Sequence, residues 1–271
     1  MFSLRLLAAV CLTVSTALAQ FSDACFSPTG SSIPPASVGN TCDPRQPRHA
    51  TLEPTGRAEP VIALRPRSAS VSVHQLTHEV PKKARQAYLD AEHAKSTDHI
   101  DAAIRHYERA VKLDPRYLEA WNNLASARIV SGDIATAEAD LAHAYALDPT
   151  AYPVLANIAF VHLRSNRPAA AEPFARRAVQ ADPLSPKGLY LLGISLAGQN
   201  KDKPEAIRLL EKVCDTYGRA HFSVAPLLAE ANRLPEAAQH LRAYLALNLP
   251  TNRDTARQWL KNVEEELKRR R

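Results

Sequence analysis

The chain has 271 residues with 34 Lys and Arg against 28 Asp and Glu, a formal net charge of +6. The two signs are interspersed through its helical region as on ordinary solvated faces, so a nucleic-acid partner is not implied. Eight Gly in the whole chain leave no Gly-rich loop to cradle a phosphate.

Arg5, the apolar run Leu6 to Leu12 and the small stretch Ala17-Leu18-Ala19 read as a secretory signal over residues 1–19, cleaved after Ala19. The run is shorter than the roughly 20 residues of a spanning helix, and Ser15 and Thr16 interrupt its end, so no stable transmembrane span is expected after cleavage. A secreted or periplasmic location follows as an expectation. Cleavage removes Cys11 and leaves Cys25, Cys42 and Cys214 where thiols can oxidise. Cys25 and Cys42 are the candidate disulfide, closing one short loop, while Cys214 falls in a helical pattern and reads as a small buried apolar residue. Residues 20–72 are dense in Pro, Ser, Thr and Arg without an apolar period. Such a segment cannot bury enough surface to offset the entropy of ordering it, and a disordered linker is expected.

From residue 71 onward the character changes and a period appears. Ala103, Ala137 and Ala171 are 34 residues apart, and so are Ala110, Ala144 and Ala178. The pairs Asp114-Pro115, Asp148-Pro149 and Asp182-Pro183 keep the same spacing, with Pro81 one period upstream. Each column has a physical reason. Alanines seven apart share one helical face and let a second helix approach closely. Pro lacks the donor N–H and pushes the preceding residue out of the helical region, so each Asp-Pro ends a helix. Inside a unit, Ser131-Gly132-Asp133 and Ser165-Asn166-Arg167-Pro168 break the chain, with Asp or Pro placed to start the second helix.

The unit Leu118–Ala151 resembles a tetratricopeptide repeat: Trp121, Leu124 and Ala125 in the first helix, Gly132 and Ile134 at the turn, Ala137, Leu141 and Ala144 in the second, then Leu147-Asp148-Pro149. The next unit keeps Leu155, Ile158, Ala159, Ala171, Ala178 and Pro183, with Ala175 in the place of Leu141. The preceding unit keeps Ala103, Tyr107, Ala110 and Pro115, but has Ala87 and Asp90 where the family has bulky apolar residues. A fourth unit retains Leu189, Leu192, Gly193, Ala206, Leu210 and Val213, with one extra residue between Gln199 and Lys203 and no closing Pro. A fifth aligns through Pro235 to Asn248, with Tyr244 in place of the small Ala and a shortened first helix.

The resemblance implies an all-α fold, a right-handed α-solenoid of repeats over 80–250, in units of about 83–116, 117–150, 151–184, 185–218 and 219–250. A capping helix over 251–271 would carry Trp259, Val263 and Leu267 on one face. The leader, Pro81-Lys82-Lys83-Ala84 and the repeats together resemble secreted bacterial proteins of this family. First helices face the concave side in the family. Its groove would therefore be lined by Asn122, Ser126 and Ile129, then Ala156, Phe160 and Leu163, then Lys187, Tyr190 and Ile194, with Asn123 and Asn157 recurring one period apart. Phe160, Tyr190 and Ile194 would suit an amphipathic or aromatic peptide, or else pack on the adjoining repeat. The family's carboxylate clamp is not matched, since its places hold Tyr88, Glu92 and Asn123, of which only the Asn fits.

The implied function is an exported, non-catalytic scaffold for a protein or peptide partner, as an envelope assembly factor or adaptor. The alternatives are an enzyme or ligand sensor acting outside the repeats, and a homo-oligomer formed through the basic, Trp259-bearing end helix. Gly193-Ile194-Ser195-Leu196-Ala197 lacks the final Gly and the strand of a nucleophile elbow. His74 and His78 share a spacing but have no third ligand nearby. No cofactor or metal is expected.

Overall fold

The computed structural model describes residues 78–247, 249 and 251–270. The expected signal over 1–19, the linker over 20–72, Cys25 with Cys42, and His74 lie outside them. The described residues form helices in pairs: α1 (Lys82–Ser96) with α2 (Ile100–Leu113), α3 (Leu118–Ser131) with α4 (Ile134–Leu147), α5 (Tyr152–Arg164) with α6 (Pro168–Ala181), α7 (Pro186–Gly198) with α8 (Lys203–Val213), α9 (Arg219–Glu230) with α10 (Leu234–Ala246), then α11 (Arg253–Arg269).

Two kinds of turn repeat along the stack. Between the helices of each unit the chain passes through a left-handed residue: Asp98, Gly132, Asn166, Asn200 and Asn232 have φ between 53° and 88°, and the longer turn of the fourth unit adds Asp202 at 41°. The next amide then reaches back six residues, counted inclusively, from His99 to the Ala94 carbonyl, Asp133 to Arg128, Arg167 to His162, Lys201 to Leu196 and Arg233 to Leu228, at 2.8 to 3.0 Å. This is the Schellman closure, which satisfies carbonyls that the ending helix leaves without partners. Between units the Asp-Pro pairs act as their chemistry dictates. Asp114, Asp148 and Asp182 are extended, with φ of −146°, −147° and −140°. Each carboxylate accepts the amide two residues on, from Arg116, Thr150 and Leu184, at 2.8 to 3.2 Å.

The alanine columns are where the helices meet. Ala103, Ala137, Ala171, Ala110, Ala144 and Ala178 are fully buried, and Ala206 and Ala237 continue the first column in the irregular units. The first unit compensates for its small α1 face, which buries Ala84, Ala87, Ala91 and Ala94. Tyr107 fills the space from α2, and the ring of Tyr88 lies 5.7 Å from Tyr107 and 5.1 Å from Tyr117. At the other end Tyr244 is buried where the earlier units have Ala. Its hydroxyl donates to the Thr251 carbonyl and its ring meets Phe222 at 5.2 Å. Phe222 in turn stacks on Trp259 of α11, 4.8 Å away and nearly parallel. The end helix therefore closes the stack with the face that carries Trp259 and Val263, and Trp259 is consumed by internal packing.

Candidate functional site

In a curved stack the layer whose members touch one another is the inner one. The first helices do so: α3 contacts α5, α5 contacts α7 and α7 contacts α9. A line of polar side chains runs along this layer. Lys187 Nζ donates to Asn157 Oδ1 at 2.8 Å, and Asn157 Nδ2 to Asn122 Oδ1 at 2.9 Å. Asn122 Nδ2 donates to Asn123 Oδ1 at 3.1 Å, and Asn123 Nδ2 to Glu92 Oε1 and to the Tyr88 hydroxyl, each at 2.8 Å. Every donor points the same way, from a cation on α7 to a carboxylate on α1, so each bond polarises the next.

The two ends are electrostatically distinct. Glu92 also accepts from Lys95 Nζ at 2.8 Å and from the Tyr107 hydroxyl. Burial raises its pKa, but the hydrogen bonds from Lys95, Tyr107 and Asn123 outweigh that and hold the carboxyl below its ordinary range. Desolvation and the nearby Glu92 push the Tyr88 phenol well above its ordinary value, so it stays protonated. At the far end, desolvation pulls the half-buried Lys187 down to about 8. That leaves it mostly charged at neutral pH, in a setting that favours a further anionic neighbour.

Of the residues that the sequence placed on the groove, Asn122, Asn123, Asn157 and Lys187 are thus joined in one network. Ser126 is buried beside them on α3, and Ile129, Phe160, Tyr190 and Ile194 belong to the apolar core, each 4 to 6 % exposed. Tyr190 reaches the following unit: its ring lies 4.5 Å from Tyr217 and its hydroxyl 3.2 Å from Ser223 Oγ. This is the packing alternative that the sequence left open for it. Ser195 is fully buried inside α7 with its hydroxyl donating to the Leu191 carbonyl at 2.7 Å. His78 pairs with Asp114 at 2.7 Å. The part of the network that the groove list omits is its acidic end, Glu92 with Tyr88, Lys95 and Tyr107. The available signal for Lys187 was register: the Asn123 and Asn157 column next falls on Leu191, and Lys187 stands one turn before it on the same face.

Two family models, each described as tetratricopeptide repeat, match residues 88–152 and 129–194. Among solved structures, MamA from residue 41 onward of Desulfovibrio magneticus RS-1 is 18 % identical with a TM-score of 0.55, covering 62 % of this chain and 97 % of its own. PilW, a widely conserved type IV pilus biogenesis factor, is 20 % identical with a TM-score of 0.57, covering 69 % and 93 %. YrrB, a repeat protein of this kind with an unusual peptide-binding site, is 16 % identical with a TM-score of 0.53, covering 67 % and 92 %. No curated protein sequence matches the chain. Paired helices stacked so that one layer forms a continuous inner face define an α-solenoid, a fold typical of protein–protein interaction scaffolds. Residues 88–194 of this one are tetratricopeptide repeats.

Proposed function

We propose that the chain is an exported scaffold that holds a protein or peptide segment along its inner face, in the role of an envelope assembly factor or adaptor. The polar line from Lys187 through Asn157, Asn122 and Asn123 to Glu92 carries this reading. An extended peptide presents alternating N–H and C=O groups, and asparagine amides can exchange a bond to a neighbouring helix for one to such a backbone. The charged ends set a direction, with an acidic group of the partner toward Lys187 and a basic one toward Glu92. Two similar folds belong to proteins described as a pilus biogenesis factor and as a peptide-binding protein, which supports an assembly or capture role. Export rests on the leader ending at Ala19, outside the described residues.

The test is site-specific photo-crosslinking in a host that exports the protein. A photoreactive residue at position 123 or 187 is expected to trap a discrete partner, and one at exposed Ala142 on α4 is not. The Asn123→Ala, Lys187→Ala variant, folded by circular dichroism, should bind the trapped partner roughly tenfold or more weakly, as loss of one charge-assisted hydrogen bond implies. Equal trapping from positions 142 and 123 would remove the inner-face reading. A mature protein that does not begin at Gln20 would remove the export reading separately.

A further inference from the structure

The junction of the fourth and fifth units lacks the Asp-Pro closure of the earlier ones, and something else occupies that place. Cys214 follows the last residue of α8, His221 lies in the first turn of α9 and His240 in the middle of α10. Cys214 Sγ is 3.8 Å from His240 Nδ1, and His221 Nδ1 is 2.8 Å from the same atom. The three donor atoms all lie within 4.8 Å of one another. Cys214 and His240 are 1 % and 3 % exposed, and His221 is half-buried.

Core packing asks for none of this chemistry. With the one-residue insertion in the fourth unit, Cys214 aligns with Val179 and Tyr145, and neither place needs a thiol. A buried imidazole needs partners for both nitrogens to offset its desolvation. His240 turns its Nδ1 to a nitrogen and a thiol rather than to an oxygen. Two imidazoles turned Nδ1 to Nδ1 beside a sulfur bring three metal-ligating atoms around one point. The Cys214 thiol donates to the Leu210 carbonyl at 3.2 Å, and the three donor atoms are spaced much as a coordination sphere would hold them.

We propose that Cys214, His221 and His240 form a binding site for a zinc ion, which clasps α8, α9 and α10 where the repeat chemistry lapses. A tetrahedral ion with Zn–N of about 2.0–2.1 Å and Zn–S of about 2.3 Å holds its donors roughly 3.3 to 3.6 Å apart. The present separations reach that by shifts of about 1 Å or less. Thiolate and imidazole are the donors that zinc prefers, and three protein ligands leave a fourth position on the side where His221 meets solvent. Burial disfavours the protonated form of both imidazoles. Asp215 lies near His221, and Glu236, paired with Arg233 at 2.6 Å, lies near His240. Binding releases the Cys214 thiol proton to solvent. The single proton shared between the two Nδ1 atoms moves to the Nε2 of the imidazole that held it, so each ring binds through Nδ1.

The experiment uses the full reduced chain, with Cys25 and Cys42 left in place in every variant so that their thiols cannot account for a difference. Titration with cobalt(II) is expected to produce the thiolate-to-cobalt charge-transfer band and the visible bands of a tetrahedral ion. Zinc should displace the cobalt at one equivalent per chain and raise the thermal unfolding midpoint. In Cys214→Ser the charge-transfer band should vanish, and in His221→Ala, which alters a half-buried position, zinc affinity should fall by about tenfold or more. Both variants are checked for helicity without metal. A wild-type chain that gives no charge-transfer band, or a folded Cys214→Ser chain that gives the same band, would overturn the proposal.

Discussion

Asp98, Gly132, Asn166, Asn200 and Asn232 show how one backbone requirement can be met by three residue types. The left-handed conformation costs an ordinary L-residue about 1–2 kcal/mol, while Asn and Asp are excused part of that because their side chains bond locally. Gly132 has open space around its Cα, with nothing within 4 Å of an added Cβ, so a substitution there reports conformation alone. Gly132→Ala should therefore lower stability by roughly 1 kcal/mol, the left-handed cost partly offset by the 0.4–1 kcal/mol that Ala contributes by stiffening the unfolded chain. Gly132→Asn should stay within about 0.5 kcal/mol of wild type. Urea unfolding followed by the fluorescence of Trp121, in the same unit, compares the two, and equal losses would show that the turn does not set the cost. The Ala and Asp-Pro columns were legible in the sequence because each keeps one residue type. The 34-residue spacing of positions 98, 132, 166 and 200 was not, because Asp, Gly and Asn share a tolerance of φ rather than a common side-chain chemistry.

Helix pairs differ in how the small residue and its opposite number divide the space between them. The aligned positions hold Ala125 with Leu141 in the second unit, Ala159 with Ala175 in the third, and Gly193 with Leu210 in the fourth. Leu210 leans into the space an alanine would fill: a Cβ on Gly193 would meet its Cγ at 2.8 Å and the Ala206 carbonyl oxygen at 3.4 Å. Gly193→Ala should cost about 1–3 kcal/mol by overpacking, and Leu210→Ala about 2–5 kcal/mol by leaving a cavity. The double variant recreates the pair of the third unit and should cost less than the sum, with a coupling of about 0.5–3 kcal/mol. Additive losses in thermal denaturation would mean that the two residues do not share this space. Packing of this kind also explains what the sequence concealed about the inner face. The period assigns Phe160, Tyr190 and Ile194 to a side of their helices but not the depth to which the next unit covers it, and Tyr217 and Ser223 cover Tyr190 from the irregular segment. Asn123 and Asn157 were visible because they repeat. Cys214, His221 and His240 were not, because the end of α8, α9 and α10 contribute one residue each at spacings no motif records.

Over the whole molecule, stability is a sum of units and of the interfaces between neighbours, and the ends of such a stack differ from its middle. The second and third units are covered on both sides, and their buried residues form one continuous core with the fourth. The end helix is covered on one side only, held by Phe222, Ala225, Leu241 and Tyr244 against Ala256 and Trp259. The chain's two tryptophans fall in these two settings, Trp121 on α3 and Trp259 on α11. Trp121→Phe leaves fluorescence that reports the cap, and Trp259→Phe leaves fluorescence that reports the second unit. The cap signal should be lost at the lower urea concentration, and amides of α11 should exchange hydrogen faster than those of α5 and α6. Coincident transitions would instead mean that the interfaces outweigh the units so strongly that the stack unfolds as one block. In that case contacts such as that of the Tyr190 hydroxyl with Ser223 Oγ, 3.2 Å apart, would tie the fifth unit to the fourth as firmly as the Asp-Pro turns tie the earlier ones.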